Sequence, residues 1–195
     1  MFKINRKVLS ISLLAMFLVF LSGCSKGVAK LNLDIFKKEK VEIFTSKDGN
    51  YVVGASNRWN AISKDDDDIL LSLQSEEYNS NYMLKKEDKS EYSKDMTLDK
   101  YSILVGEASL VGLENGSLSE SEDITIDNKD GKKFYVKGEK EGIKLKYIFT
   151  VLDSEEMYLR QIIWSTEENI EENSSYYYKI LGSLKKNVES PQQSN

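Results

Sequence analysis

Apolar and polar residues alternate over several stretches of the chain, and this two-residue period predicts β-strands joined by tight turns. The first stretch is Val41-Glu42-Ile43-Phe44, and Tyr51-Val52-Val53 follows it after a short polar segment. That segment contains Asp48-Gly49-Asn50, and glycine tolerates the positive φ that a hairpin turn requires. These residues therefore predict an antiparallel hairpin that begins at Val41.

The longest alternating pattern lies between residues 134 and 164 and predicts neighbouring antiparallel strands. Short turns are expected at Glu141-Gly142 and at Asp153-Ser154-Glu155. One face of the strand between these turns consists of Ile143, Leu145, Tyr147, Phe149 and Val151. The opposite face is not purely polar, because it contains Ile148 and Leu152. Both faces of the sheet should therefore be covered, and helices on both faces would cover them.

Two stretches have apolar residues three and four positions apart, a spacing that predicts amphipathic helices. The first helix is expected to begin after Thr97, whose hydroxyl can accept from a free amide of the first turn, and to end at Asn115-Gly116. Its predicted inner stripe is Leu98, Tyr101, Val105, Ala108 and Val111. The second helix is expected to open with a capping box formed by Ser165 and Glu168. Its predicted inner stripe is Ile170, Tyr177, Ile180, Leu181 and Leu184.

Three polar segments are predicted to lie outside regular structure. The residues from 117 to Glu122 predict a loop and an unpaired sheet edge. The acidic run from Asp65 to Asp68 lacks the alternate spacing and the sixth-position glycine of a calcium-binding loop. A solvated turn is therefore favoured over a metal site, although cation binding stays open as an alternative. The segment from Asp127 to Gly131 is predicted to be a hairpin turn.

The N-terminus has the order of an export signal. Lys3, Arg6 and Lys7 precede a mainly apolar run of 14 residues, from Val8 to Leu21, which is shorter than the about 20 residues that span a bilayer. The run ends in Leu21-Ser22-Gly23-Cys24, which resembles the lipobox of bacterial lipoproteins. This resemblance covers the first 24 residues. It implies that Leu21, Ser22 and Gly23 form the cleavage motif, that Cys24 is lipidated, and that the protein is anchored to a cell membrane and faces outside the cytoplasm.

Composition excludes several functional classes. The chain has no histidine and one cysteine, so Ser-His and Cys-His catalytic pairs are absent, and a lipidated Cys24 would leave no thiol for a disulfide or a metal. We predict no cofactor and no metal. Cleavage before Cys24 removes three basic residues and no acidic one, which leaves 24 basic and 32 acidic residues and a formal charge of −8. This charge argues against a nucleic-acid partner.

The order of predicted elements resembles that of the PsbP-like family over about residues 41–186. The residues that carry the resemblance are Asp48-Gly49-Asn50-Tyr51, Trp59, Met96-Thr97-Leu98-Asp99-Lys100-Tyr101, Gly131-Lys132-Lys133-Phe134-Tyr135 and Ile180-Leu181-Gly182-Ser183-Leu184-Lys185. The family often has proline shortly before the tryptophan, where this chain has Ser56-Asn57-Arg58. The resemblance implies an α+β fold, an αβα sandwich with a central antiparallel sheet of about six to eight strands and helices on its faces.

The predicted organisation is a signal segment at 1–23, a tether at 24–40, one domain at 41–186 and a disordered tail at 187–195. Proteins of the PsbP-like family act mainly in assembly or interaction, so the resemblance transfers no catalytic residue. We therefore favour a non-enzymatic domain that binds an envelope protein or an extracellular ligand. At 100° per residue only Tyr177 of Tyr176-Tyr177-Tyr178 joins the inner stripe, so Tyr176 and Tyr178 are the candidate interaction residues. Simple packing of both at the sheet edges is the competing interpretation.

The main functional alternative is a hydrolase that acts on cell-wall or extracellular glycan with carboxylates alone, as many glycosidases do. Such an enzyme needs two carboxylates that face each other across a cleft, about 5 to 9.5 Å apart. No spacing of acidic residues in the sequence predicts such a pair.

Overall fold

The computed structural model describes residues 40–188, which form an α+β fold. The strands are β1 (Val41–Thr45), β2 (Tyr51–Ser56), β3 (Asn60–Ala61), β4 (Ile69–Ser75), β5 (Ser80–Asp88), β6 (Glu114–Leu118), β7 (Glu122–Ile126), β8 (Lys129–Lys140), β9 (Ile143–Asp153), β10 (Met157–Thr166) and β11 (Lys185–Lys186). The helices are α1 (Leu98–Ser109), α2 (Glu167–Glu172) and α3 (Ser174–Gly182). A short 3-10 turn covers Lys89–Glu91.

Several predictions concern residues outside the described range. They are the signal segment with Leu21, Ser22, Gly23 and Cys24, the tether up to residue 39, and residues 189–195 of the tail. Within residues 40–188, no helix has both the length and the hydropathy needed to cross a bilayer.

Eight strands form one antiparallel sheet in the order β3-β4-β5-β10-β9-β8, and β6 and β7 both pair with the outer edge of β8. The predicted central sheet is therefore confirmed. The turn that joins β8 to β9 contains Glu141 and Gly142, as predicted, and both adopt positive φ, at 52° and 77°. The predicted turn after Asp153 likewise joins β9 to β10. The hairpin turn predicted between Asp127 and Gly131 is confirmed but is shorter, because only Asp127 and Asn128 form it, at positive φ, and β8 already begins at Lys129.

Each face of this sheet has its own apolar core, as the two-sided pattern of β9 predicts. On one face α1 packs on β8 and β9, in a cluster that contains Tyr101, Val105, Phe134, Phe149 and Val151. On the other face α2, α3 and a three-stranded sheet of order β1-β2-β11 cover Ile148 and Leu152. The predicted hairpin of β1 and β2 is confirmed, and it lies in this second sheet. Helices therefore cover both faces, and a small sheet assists them on one.

The predicted end of the first helix is wrong. α1 ends at Ser109, and Asn115 and Gly116 lie in β6 instead of closing the helix. Gly112 adopts a φ of +85°, which turns the chain away from the helix axis, and Val111 is left 83% exposed. Leu110 and Leu113 pack on the core in place of Val111.

The prediction of a loop between residue 117 and Glu122 is also wrong in part. β6 and β7 lie on either side of a short break and form ladders with β8, from Glu114 opposite Glu139 to Ile126 opposite Lys129. The physical reason is that β8 is 12 residues long and would otherwise present unpaired amides and carbonyls at the sheet edge. Backbone pairing thus determines this segment, while most of its polar side chains face solvent, as expected at an edge.

The terminal helix begins one residue later than predicted and is interrupted. Thr166, not Ser165, is the N-cap, and its hydroxyl accepts from the amide of Asn169 at 3.4 Å. Ser165 still belongs to β10, and its buried hydroxyl donates to the carbonyl of Asn79 at 2.6 Å. The chain leaves helical geometry at Asn173, which separates α2 from α3. The predicted inner stripe is nevertheless buried, with Leu184 lying just beyond α3.

Candidate interaction surface

The two tyrosines predicted to contact a partner occupy different environments on α3. The ring of Tyr176 packs against Tyr78, with centroids 4.9 Å apart. Its hydroxyl accepts from the indole Nε1 of Trp59 at 2.8 Å and lies 2.9 Å from the hydroxyl of Ser56. Because the Trp59 side chain is only 1% exposed, Tyr176 provides the acceptor for a buried donor. The geometry therefore assigns Tyr176 a structural contact that the sequence pattern did not reveal.

Tyr177, between them, points into the core as predicted. It is fully buried, and its hydroxyl lies 2.7 Å from that of Ser80 and accepts from the side-chain amide of Asn169 at 3.2 Å. Burial raises the pKa of Tyr177, so its hydroxyl remains protonated and able to donate.

Tyr178 lies at the solvent-facing side of α3 and is 37% exposed. Its hydroxyl forms a hydrogen bond with the hydroxyl of Tyr135 on β8. Lys133 and Lys137 flank Tyr135 at alternate positions of the same strand, so the three side chains extend from one face of the sheet. The Nζ of Lys133 lies 4.9 Å from the ring centroid of Tyr178, and the Nζ of Lys146 lies 5.4 Å from that of Tyr135. We call Lys133, Tyr135, Lys137, Lys146 and Tyr178 the Tyr–Lys surface.

Ion pairs fix the lysines of this surface. Lys133 pairs with Glu122 at 2.8 Å, and Lys146 pairs with Glu171 at 3.2 Å. Lys137 pairs with Glu167 at 2.5 Å and approaches Glu171 at 3.6 Å. The three lysines are thus held by three carboxylates on neighbouring elements, which leaves the Tyr–Lys surface close to neutral although the chain is acidic.

The ionisation states make the surface rich in hydrogen-bond donors. Burial, and after it the hydrogen bond with Tyr135, raises the pKa of Tyr178 to about 12. The hydrogen bond from Lys137 holds the pKa of Glu167 below its usual value, and the same contact raises the pKa of Lys137. Near neutral pH the phenol of Tyr178 is therefore protonated, and the Lys137–Glu167 pair is fully charged.

A shallow depression and a wider groove meet at these ion pairs. The depression has a volume of about 160 Å³ and is lined by Ser117, Leu118, Ser119, Tyr135, Lys137 and Lys146. The groove, of about 580 Å³, is open to solvent and is lined by Ile143, Lys144, Thr166, Glu167, Glu168, Glu171 and Glu172. Lys137 and Lys146 line the first, and their partner carboxylates line the second. The arrangement can offer ammonium and phenol donors on one side and carboxylate acceptors on the other.

The ionisation of Glu167 does not suit the general acid that the hydrolase alternative requires. A glycosidase needs one carboxylic acid with a raised pKa, so that it is protonated and can act as general acid. Glu167 has the opposite shift, because Lys137 stabilises its ionised form.

The acidic run from Asp65 to Asp68 lies on the surface, as predicted for a solvated turn. Lys85 neutralises part of it, with its Nζ 3.7 Å from Asp66 and 3.8 Å from Asp68. Across residues 40–188, no group of three or more cysteine or acidic residues has a geometry suited to a metal ion. Binding of a cation here stays an open alternative.

A second polar cluster, between β5, β10 and the segment before α1, was not predicted. The Nη2 of Arg160 lies 2.7 Å from Oε1 of Glu87, and both side chains are more than four-fifths buried. The hydroxyl of Tyr92 donates to the same carboxylate. Arg160 lies between Tyr158 and Ile162 on the same, otherwise apolar face of β10. A charged residue in an apolar alternation is the sequence signal that could have predicted this buried cluster. Both charges are paired, so we regard the cluster as structural.

Comparisons with known proteins identify the fold. No protein-family model matches the chain, and no curated protein matches it. The chain is similar to the solution structure of cyanobacterial PsbP (CyanoP) from Synechocystis sp. PCC 6803, with a TM-score of 0.53 and 13% identity over 83% of this chain and 96% of the other. The domain therefore has a PsbP-like fold.

Two further solved structures resemble it. A crystal structure from Bacteroides thetaiotaomicron VPI-5482 has a TM-score of 0.51 and 10% identity, and the match covers 78% of this chain. The present chain spans half the length of that protein. LpqN of Mycobacterium tuberculosis, described as involved in cell envelope biogenesis, has a TM-score of 0.47 and 9% identity over 83% of this chain and 99% of its own. Both matches have an identity of 10% or less, so neither transfers a residue role.

Proposed function

We propose that the protein is a bacterial lipoprotein that a lipid on Cys24 anchors to a cell membrane, facing outside the cytoplasm. Its PsbP-like domain would be a non-enzymatic binding or assembly module of the envelope. The observation that carries this proposal is the order of residues 3–24, in which a basic start and an apolar run lead to Leu21-Ser22-Gly23-Cys24. A diacylglyceryl group supplies two acyl chains, and each buried methylene contributes about 0.8 kcal/mol, which suffices for stable attachment.

The anchor is tested by Cys24→Ala in the native host, with Ser25→Ala as the matched control. We expect the Ser25→Ala protein to be processed, to incorporate labelled palmitate and to fractionate with the membrane. The Cys24→Ala protein should incorporate no lipid and remain an unprocessed precursor, because the modified thiol is missing. Unchanged cleavage before residue 24 together with unchanged membrane attachment in Cys24→Ala would refute the anchor.

The Tyr–Lys surface is the part of the domain that best suits partner binding. Tyrosine is enriched at protein interfaces because it combines a large apolar area with a polar group. Tyr178 presents such a side chain at the surface, and ion-paired lysines hold it against Tyr135. The adjoining depression, lined in part by Tyr135, Lys137 and Lys146, supplies a concave shape that part of an envelope ligand or a protein loop could fill.

Site-specific photo-crosslinking in intact cells tests this surface. A benzophenone amino acid at position 178 is compared with the same group at position 103, because Ile103 is 52% exposed on α1 and lies on the other face of the sheet. We expect a discrete product from position 178 that is absent from position 103 and that is lost when Tyr135→Ala and Lys146→Ala are added. Identical products from both positions, or a product that survives the added substitutions, would contradict the assignment.

A further inference from the structure

The tether joins the domain at one identifiable end. β1 begins at Val41, and the carbonyl of Lys40 accepts from the amide of Asn57 at 2.9 Å. Arg58, the next residue, forms an ion pair with Glu77 in the turn between β4 and β5. Lys40 therefore lies at the end of the molecule that contains this turn.

Three more connections lie at the same end. Ser165 bonds to Asn79 of the β4–β5 turn, so β10 ends there and α2 begins there. Thr166 is opposite Leu145, which places the β8–β9 turn nearby. Glu114 is opposite Glu139, so the loop that follows α1 also reaches this end. We call the loops at 57–59, 76–79, 110–113 and 141–142, with Lys40 and Ile143, the Lys40 rim.

Two large apolar side chains project from the Lys40 rim. Val111 is 83% exposed in the loop after α1, and Ile143 is 53% exposed at the start of β9. Lys140 and Lys144 lie near Ile143 in the chain, and the groove that Ile143 lines also contains four carboxylates, those of Glu167, Glu168, Glu171 and Glu172. A rim of this composition would meet a bilayer through its apolar side chains and would not require anionic lipid.

We propose that the Lys40 rim faces the bilayer and that Val111 and Ile143 insert into its interfacial region. This inference rests on the proposed lipid anchor at Cys24. A chain of 16 residues between Cys24 and Val41 that behaves as a flexible coil reaches about 20 to 25 Å, so the anchor keeps this rim close to the membrane surface. The Tyr–Lys surface then lies on the side of the domain, open to partners in the envelope.

The chain offers a matched control on the opposite end. Val188 is 84% exposed, almost the same as Val111, and the preceding Asn187 bonds through its amide to the carbonyl of Asn50 at 2.7 Å. Asn50 belongs to the β1–β2 turn, at the other end of β1 from Lys40. Val188 thus has the same side chain and almost the same exposure as Val111 but lies at the opposite end of β1 from Lys40.

The test uses the lipidated chain, in which an introduced cysteine is the sole free thiol because Cys24 is the only native cysteine. Val111→Cys, Ile143→Cys and Val188→Cys are labelled with an environment-sensitive fluorophore and reconstituted in phosphatidylcholine vesicles. We expect a blue shift, a several-fold rise in emission and quenching by spin-labelled lipid at positions 111 and 143, and none at 188. Labels at 111 and 143 that behave like the label at 188 would overturn the inference.

Mass spectrometry of Cys24 in the same samples separates the two proposals. A bare Cys24 thiol would contradict the proposed anchor. A lipidated Cys24 with water-exposed labels at 111 and 143 would contradict only the orientation of the Lys40 rim.

Discussion

Tyr176 and Tyr178 are two residues apart on one helix, yet their hydroxyls serve different purposes. Tyr176 faces the loop after β2 and accepts from the buried indole of Trp59. Tyr178 faces the outer part of the large sheet and bonds to Tyr135 beside Lys133 and Lys146. The helix rotates each side chain toward a different neighbour, so that the hydroxyl of Tyr176 bonds to a buried indole and the hydroxyl of Tyr178 bonds to another tyrosine near the surface.

The largest effect on stability is predicted for substitution of Trp59, the partner of Tyr176. Trp59→Ala should lower the free energy of unfolding by about 3 to 5 kcal/mol, because it removes a fully buried indole and leaves a cavity. Trp164 is only partly buried, so Trp164→Ala is the matched control and should cost less. Urea unfolding of the chain from Ser25 onward measures both. Equal losses of unfolding free energy would show that the fully buried indole of Trp59 does not stabilise the fold more than the partly buried indole of Trp164.

The second prediction concerns how much the hydroxyls of Tyr176 and Tyr178 each contribute to the free energy of unfolding. Tyr176→Phe removes the acceptor of the Trp59 indole and should cost about 1 to 3 kcal/mol, the usual penalty for an unsatisfied buried donor. Tyr178→Phe removes a hydroxyl at an exposed site and should change stability by less than about 0.5 kcal/mol. The two values come from the same unfolding measurement, and a reversed order would break the distinction between the two tyrosines.

These predictions depend on contacts that the sequence could not supply. Helical periodicity placed Tyr177 inside and its neighbours at the flanks, but it could not identify Trp59, more than one hundred residues away, as the partner of Tyr176. Tyr135 was missed as the partner of Tyr178, although the alternation Lys133, Tyr135, Lys137 on one strand face was a usable signal.

The fold was more predictable where local chemistry determines it. The glycine turns at Gly49 and Gly142 adopt positive φ, and each joins the strands expected from the alternation around it. β6 was missed because its mainly polar side chains conceal a backbone that pairs with β8. The cap moved from Ser165 to Thr166 because strand pairing extends through Thr166, and both residues carry a hydroxyl.

The smallest predicted effect concerns the ion pair at the edge of the Tyr–Lys surface. Lys137 stabilises ionised Glu167 and lowers its pKa from the ordinary 4.5, so this contribution to stability is present above pH 4.5 and is lost as the pH falls through the lower folded-state value. NMR titration of the Glu167 carboxyl carbon should give a midpoint below 4.5. In Lys137→Met the midpoint should rise toward 4.5, whereas Lys179→Met, on the neighbouring helix α3, serves as the control and should leave it unchanged. An unchanged midpoint in Lys137→Met would exclude this pair as the cause.

The central claim is that a lipid on Cys24 holds a binding domain at the membrane, and the mass of one peptide tests it most directly. Protein purified from membranes of the native host is digested with trypsin, and the peptide Cys24-Ser25-Lys26 is identified. We predict that its N-terminus is Cys24 and that its mass includes a diacylglyceryl group. A free Cys24 thiol, or a peptide in which Gly23 is still joined to Cys24 in the membrane-bound protein, would contradict the account.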